Sequence, residues 1–207
     1  MSTAPVEARL QLLDWRRRVA EVYAMVRAER DAEAAWHMWR AARERLFLEH
    51  PQSPLPVGQR AANHVPRYFE YDPAFRVYAA VSAASDDEVG IPTSHDTTSA
   101  VVHAGTARFA LGGVAAALEL HWLTDYAGGL LVMFRDATSG KQTYGAGRYV
   151  LDTAKGADLG SEDDGRLVLD FNFAYQPSCA YDPAWECPLP PRPNWLTIAI
   201  PAGERVA

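Results

Sequence analysis

The first fifty residues carry apolar side chains at the spacing of one helix face. Between residues 6 and 49 they recur every three or four positions, as at Leu12 and Trp15, which is the period of an amphipathic α-helix. Alanine, arginine and glutamate fill most other positions, and all three favour helix. The pattern predicts one long helix, or two helices with a break near Asp31. The prolines of 50–56 end it, because proline cannot extend a helix.

Beyond residue 66 the apolar residues fall into short runs that are typical of β-strands. Gly112 and Gly113 separate two of these runs and predict a tight hairpin turn. Short strands joined by short links indicate an antiparallel sheet that closes or folds over as a barrel or a sandwich. The predicted strands cover 77–81, 100–103, 106–111, 114–123, 130–135, 142–151, 166–171 and 195–200.

We therefore expect a single α+β domain over 1–207, in which a helical segment, 1–50, packs on an antiparallel β domain, 66–207. The tryptophan-bearing helix face needs an apolar surface to cover it. A coiled coil or another oligomer contact, such as a homodimer, is the alternative use of that face. A proline-rich loop, 176–193, is expected to stay ordered because proline lowers the entropy of the unfolded chain. We expect it to cover one end of the β-structure.

The overall composition fits an ordinary globular domain with a sizeable core, at 48% hydrophobic and 22% charged residues. A net charge of -6 argues against a nucleic-acid-binding surface, which normally needs a basic excess. Apolar runs of the roughly 18–20 residues that a membrane helix requires are absent from the sequence, and its start lacks the pattern of a signal peptide. We expect a cytoplasmic protein whose cysteines are mostly thiols.

A group of polar residues follows the predicted strand 130–135. Arg135 and Asp136 end that strand, and Tyr144 and Arg148 lie on the next one, so a hairpin would bring the four together. Arginine offers a two-pronged donor to carboxylates and phosphates, and the group predicts a pocket for a small anion. The structural alternative is that Asp136 caps the turn and Arg148 pairs with a carboxylate to fix the hairpin.

A second polar pair, Asp170 and Asn172, comes at the end of the predicted strand 166–171. A buried carboxylate there is a candidate general base, with Asn172 orienting it. The alternative is that both side chains anchor the long loop that follows, because a loop of that length needs such contacts.

Cys179 and Cys187 lie seven residues apart within the proline-rich loop. They are open to three interpretations: structural residues (as thiols or as a disulfide), a reactive or redox thiol at Cys179, and a metal site. The histidines lie far upstream without ligand spacing, so we predict no metal site. Sequence motifs of the common nucleotide-binding and zinc-hydrolase classes are absent, and no cofactor is specified.

The runs that surround these residues resemble the signature of a known family. They include 134–140, 143–149, the sequence Asp170-Phe171-Asn172-Phe173-Ala174-Tyr175-Gln176-Pro177-Ser178-Cys179-Ala180-Tyr181, and Pro201-Ala202-Gly203-Glu204. Together they are similar to the prokaryotic domain-of-unknown-function family numbered 1684, and the segment around 39–55 resembles its N-terminal part. The resemblance supports the domain assignment and implies no particular activity, substrate or cofactor.

The function predicted from the sequence is binding of a small molecule, expected to be an anion, at one end of the β-structure. The predicted lining comprises Arg135, Asp136, Tyr144, Arg148, Asp170 and Asn172. Two alternatives stay open: an enzyme at the same place that uses Asp170 or Cys179, and a protein-interaction module built on the N-terminal helix.

Overall fold

The computed structural model describes residues 5–62, 64–124 and 128–206. It begins with two helices, α1 (Val6–Ala28) and α2 (Ala32–Glu49). Asp31 starts α2, and its carboxylate accepts hydrogen bonds from the backbone N–H groups of Glu33 and Ala34. Such a cap satisfies donors that have no partner inside the helix. The alternative of two helices with a break at Asp31 is therefore confirmed.

Short strands make up the rest of the regular structure. Two of them, β1 and β9, form a separate two-stranded sheet that ties the C-terminus to the region after α2. The strands are β1 (Arg67–Tyr68), β2 (Arg76–Ala83), β3 (Glu88–Pro92), β4 (Thr98–Leu111), β5 (Val114–Leu123), β6 (Gly129–Phe134), β7 (Arg148–Asp152), β8 (Leu167–Asp170) and β9 (Glu204–Arg205).

The larger sheet has seven strands in the order β7-β6-β5-β4-β2-β8, with β3 paired to β4. Each of these pairings is antiparallel. The sheet curls until its edge strands β7 and β8 approach each other, which makes a nearly closed barrel. The predicted α+β fold with an antiparallel barrel is confirmed.

Four of the predicted strands differ from the observed ones. The runs 100–103 and 106–111 belong to one strand, β4, in which a register shift between His103 and Gly105 interrupts the regular pairing. In 142–151 only the part from residue 148 pairs with β6, because the residues before it form turns. The prediction of a strand at 195–200 was wrong. That segment meets the chain after β6 through an isolated bridge between Arg135 and Trp195 and forms no continuous ladder.

Two clusters of buried side chains hold the domain together. One contains only residues of the β-structure and the C-terminal tail, among them Leu118, Phe134 and Phe171. The other joins the helices to the sheet. Trp36 and Trp39 are its largest members, with 0% and 2% of their surfaces exposed. Because both are covered, they do not form the exposed contact surface that the protein-interaction hypothesis required.

The proline-rich loop is attached to the barrel by hydrogen bonds at several points. Directly after the loop, the fully buried Asn194 bonds the backbone of Glu119 on β5 and of Met133 on β6. The Tyr149 hydroxyl donates to the Pro188 carbonyl, and the Leu189 N–H donates to Pro92. In the described part of the chain, none of the helices combines the length and apolar character needed to cross a membrane.

Candidate functional site

Of the four residues predicted to converge after β6, the structure brings two together. Arg148 is fully buried opposite Asp136, with Nη2 3.6 Å from Oδ1. Arg135 instead stacks on the Trp195 ring, its guanidinium carbon 3.9 Å from the ring centre. The Tyr144 hydroxyl lies 3.9 Å from the sulfur of Cys179. The predicted cluster is therefore divided among three places.

The Arg148 guanidinium is occupied by the chain's own backbone. It donates to the carbonyl groups of Ile200, Ala202 and Glu204. Its partner Asp136 accepts a 2.6 Å hydrogen bond from the Ile200 N–H. Burial lowers the pKa of Arg148 to about 10, and Asp136 and Glu204 oppose that shift. The pair therefore clamps the C-terminal tail to the barrel. The structural alternative had expected Arg148 to pair with a carboxylate, but in order to fix the hairpin.

The tail that Arg148 holds is itself an anchor for the proline-rich loop. The buried Glu204 carboxylate accepts hydrogen bonds from the Gln176 N–H and the Tyr181 hydroxyl, and from Nε of Arg43 on α2. Gly203 precedes it with φ +74°, and a Cβ there would lie 2.4 Å from the Ala174 carbonyl oxygen. The C-terminal part of the family-like signature is thus accounted for by loop architecture.

Asp170 and Asn172 lie together at the end of β8, which is one edge strand of the larger sheet; β7 is the other edge strand. Asp170 Oδ1 accepts from the backbone and side-chain nitrogens of Asn172, and Oδ2 accepts from Nη1 of Arg76 at 3.2 Å. Burial raises the pKa of Asp170, against the opposing effects of Asn172 and Arg76. Asn172 also bonds the backbone of Asp72 through both atoms of its amide. Asp170 therefore holds the first residue of β2, and Asn172 holds the segment just before that strand.

A cleft of about 320 Å³ opens next to that pair. Three arginines line it: Arg27 from the last turn of α1, Arg30 from the link to α2, and Arg76 from the first position of β2. Glu29 is the single acidic residue in the lining. We call this site the arginine cleft. The remaining lining residues are Val26, Ala32, Ala35, Tyr71, Pro73, Tyr78, Leu159 and Phe173.

Alternation along β2 sets the geometry of the arginine cleft. Arg76 and Tyr78 point to the same face because side chains two apart on a strand do so, while Val77 points into the barrel core. The Arg76 Nε lies 3.5 Å from the Tyr78 hydroxyl, and Nη1 is held by Asp170. Among the described residues, Nη2 is left without a hydrogen-bond partner. Asp170 and Tyr78 therefore orient a guanidinium that keeps a donor for the cleft.

Tyr71 adds a neutral hydroxyl to the arginine cleft. Burial, followed by the charge of Asp170, raises the pKa of Tyr71 to about 12. The pKa of Arg76 is raised as well, since burial, which lowers it, is outweighed by the hydrogen bond that Arg76 donates to Tyr78 and by the charge of Asp170. Near neutral pH the Arg76 guanidinium is therefore charged and the Tyr71 hydroxyl protonated, and both groups are hydrogen-bond donors.

A second cleft, of about 270 Å³, opens between α1 and the proline-rich loop. Trp15, Arg16, Lys155, Ser178 and Cys187 are among its lining residues. Cys179 and Cys187 are both free thiols, the first half-buried and the second buried. In 5–62, 64–124 and 128–206, no group of three or more His, Cys, Asp or Glu side chains is arranged to hold a metal ion.

The predicted site included two residues next to the arginine cleft and missed its arginines. Asp170 and Asn172 stand behind Arg76, whereas Arg27, Arg30 and Arg76 were not singled out. One local signal was available, an arginine and a tyrosine at alternate positions at the start of a strand. The contribution of α1 could not be seen, because it depends on where the end of that helix packs against β2.

Comparison with known proteins places the chain in a family. The model of a family described as "Protein of unknown function (DUF1684)" matches residues 64–205. The chain belongs to this family. The resemblance expected from the signature is confirmed, and the DUF1684 match covers both the arginine at the start of β2 and the cysteine pair. A search of curated proteins finds no match.

One solved structure is similar to this DUF1684 protein over most of both chains. It is the solution NMR structure of an uncharacterised protein of Haloarcula marismortui, with 39% sequence identity and a TM-score of 0.61. The similarity covers 84% of this chain and 94% of that chain.

Proposed function

We propose that this DUF1684 protein binds a small anionic molecule in the arginine cleft. The observation that carries the proposal is the convergence of Arg27, Arg30 and Arg76, from three separate elements, on one concave space of about 320 Å³. Ligand sites are typically concave and hold a few convergent polar groups. In a protein with a net charge of -6, three guanidinium groups share this lining with one carboxylate, that of Glu29, while Asp158 and Asp170 pair with Arg27 and Arg76 from outside it.

Arg76 is the residue expected to make the central contact. It is fixed by Asp170 below and Tyr78 beside it, so little conformational freedom would be lost when a ligand binds. Its free Nη2 would donate to a carboxylate or phosphate oxygen, with Arg27 and Arg30 adding charge and Tyr71 adding a neutral donor. Asp170 and Asn172 are positioning residues in this account.

The proposed class of function, binding of a small anion, is the one expected from the sequence, but most of the residues at the site are different. Of the six residues predicted to line it, Asp170 and Asn172 support the arginine cleft from behind. Asp136 and Arg148 spend their hydrogen bonds on the C-terminal tail, so we assign them to stability. Asp170 is fully buried with both oxygens engaged, which makes it a poor general base.

Calorimetric titration with a panel of small phosphates and carboxylates tests the proposal. The variants are Arg76→Gln and, as a matched control, Arg108→Gln, which removes an exposed arginine from the neighbouring strand β4. A lost charge-assisted hydrogen bond is worth about 1.5–3 kcal/mol, so we expect Kd to rise about tenfold or more in Arg76→Gln. The control should bind like the parent protein. Equal affinity in both variants, or no binding of any anion, would overturn the proposal.

A further inference from the structure

One face of α1 lines two adjoining spaces beside the proline-rich loop. Trp15, Val19 and Tyr23 follow one another at intervals of four residues and so share a helix face. All three line a pocket of about 50 Å³, which we call the inner pocket. The second cleft, of about 270 Å³, adjoins it, because four residues line both spaces: Trp15, Pro54, Lys155 and Ser178.

The inner pocket is lined by two hydrogen-bond donors that are not fully used. Arg43 donates through Nε to the Glu204 carboxylate, but among the described residues neither of its terminal nitrogens has a hydrogen-bond partner. The Tyr23 hydroxyl accepts from Nε1 of Trp39 at 3.2 Å, and in the described part of the chain its own proton has no acceptor. Tyr23 is 5% exposed and the Arg43 side chain 16%. Because buried donors are normally hydrogen-bonded, the pair favours an acceptor group in the inner pocket.

The Arg43 guanidinium is held in one orientation by its surroundings. Its carbon lies 4.7 Å from the ring centre of Phe47 and 4.8 Å from that of Tyr175. Both rings also line the inner pocket. Glu204 fixes the Nε side of the same group. A donor that is already oriented loses little conformational freedom when a ligand binds.

The charges around the inner pocket suit a ligand with a single negative charge. Glu204 already balances Arg43, and the Asp152 carboxylate lies 3.3 Å from Nζ of Lys155. Both of these carboxylates are buried, so they would repel a doubly charged anion at close range. A planar carboxylate carries one charge and matches the geometry of the guanidinium donors.

The second cleft offers apolar surface for the rest of such a ligand. Leu12 and Trp15 line it from α1, and Pro54 and Trp185 line it from the segment after α2 and from the proline-rich loop. Glu186 is the single carboxylate among its lining residues. A volume of about 270 Å³ is near the lower end of the range for small-molecule sites, which indicates a small ligand.

We propose that the inner pocket and the second cleft together bind a small amphiphilic monocarboxylate. Its carboxylate occupies the inner pocket, where Arg43 and Tyr23 donate to the oxygens and Lys155 adds positive charge at the entrance. Its apolar body lies in the second cleft between α1 and the proline-rich loop. The site is separate from the arginine cleft, since among the described residues none lines both.

Calorimetric titration of the whole protein compares three probes. These are octanoate, octan-1-ol, which has the chain without the charge, and acetate, which has the charge without the chain. Octanoate should bind most tightly, because it alone uses both the donors and the apolar walls. Octan-1-ol should bind about tenfold or more weakly than octanoate, since charge-assisted hydrogen bonds are lost. Equal affinity for octanoate and either of the other probes, or no binding of octanoate, would overturn the proposal.

Two variants test the residues of the site. Tyr23→Phe removes a donor and keeps the ring, so Kd for octanoate should rise about tenfold or more. Because Tyr23 is buried, circular dichroism checks the fold, and Lys155→Met, at a half-buried position, is the second variant. Lys155→Met should weaken binding about threefold or more, whereas Lys141→Met, at an exposed position, is its matched control and should bind like the parent. Unchanged affinity in Tyr23→Phe, or in Lys155→Met if Tyr23→Phe does not fold, would contradict the assignment.

The place of binding separates this site from the arginine cleft. Arg76→Gln should bind octanoate with the affinity of the parent protein. Isotope-filtered NMR should show contacts between the octanoate chain and the Trp15 ring, which lines both spaces. Contacts to Tyr71 or Tyr78, together with weaker binding by Arg76→Gln, would place the carboxylate in the arginine cleft and refute the second site.

Discussion

The Asp170 carboxylate accepts a hydrogen bond from the Arg76 guanidinium, 3.2 Å from Oδ2 to Nη1, across the paired strands β8 and β2. The two residues are direct Cα partners in the ladder, so the contact is fixed by strand register. Asp170 is fully buried, whereas 28% of the Arg76 side chain is exposed. A buried anion thus aims a partly exposed cation toward the arginine cleft.

Asp170 should leave a signature in the pH dependence of stability. Its raised pKa means that the folded chain holds the proton more tightly than the unfolded chain, where the pKa is about 3.9. The stability contributed by this group is therefore full below about pH 3.9 and is lost as pH rises through the folded-state pKa. We expect the free energy of unfolding of the parent, minus that of Asp170→Asn, to fall over that window. Urea unfolding at several pH values measures it, and a difference that stays flat or rises would refute the assignment.

Arg148 should matter for stability and leave anion binding unchanged. Replacing it with Met leaves Asp136 buried without its cation and removes the donors from three carbonyl groups of the tail. Breaking a buried ion pair from one side costs about 3–5 kcal/mol, and we expect a loss of that size in the free energy of unfolding. The exposed Arg45→Met is the control and should change stability by about 0.5 kcal/mol or less. A small loss for Arg148→Met would show that the clamp is dispensable.

Gly203 and Gly165 form a matched pair of positive-φ glycines. Their φ angles are +74° and +84°, but a Cβ at Gly203 would meet two backbone carbonyl oxygens within 2.6 Å, while one at Gly165 meets nothing within 4 Å. Alanine in this backbone region costs about 1–2 kcal/mol at either position. Gly203→Ala should be clearly more destabilising than Gly165→Ala in thermal or chemical unfolding, because the tail must also shift. Equal losses would mean that the tail adapts freely.

The fold could be predicted from the sequence to the extent that it follows local periodicity. The helix pattern, the break at Asp31 and most strands follow from spacing, since the burial of one face imposes the period. The segment 195–200 has strand-like residues, yet it pairs with the chain after β6 through one isolated bridge, Arg135 to Trp195. Which segments lie beside it depends on tertiary packing, and the local sequence pattern does not encode that packing. For the same reason the sequence pattern did not predict that β4 continues as one strand through the register shift after His103.

The candidate site was only partly predictable for a related reason. The position of Asp170 at the end of a strand marks it as a candidate in the sequence, but its partner Arg76 lies far away in sequence and meets it only through the pairing of β2 with β8. Arg148 was assigned to a ligand because arginine suits anions. In the structure the carbonyl groups of the C-terminal tail accept the hydrogen bonds that Arg148 would otherwise offer to a ligand. The spacing of residues along the sequence does not show that the tail reaches Arg148.

The arginine cleft is tested most directly by NMR observation of the arginine side chains during titration with the best-binding anion of the calorimetric panel. The account predicts that the Nε–Hε signals of Arg27, Arg30 and Arg76 shift together with one saturation curve. We also predict that the signals of Arg108 and Arg148 stay in place, since the first is exposed on another strand and the second is fully buried away from the cleft, with both Nη atoms bonded to the tail. Shifts centred on Arg148 or Arg135, with Arg76 unchanged, would contradict the central claim.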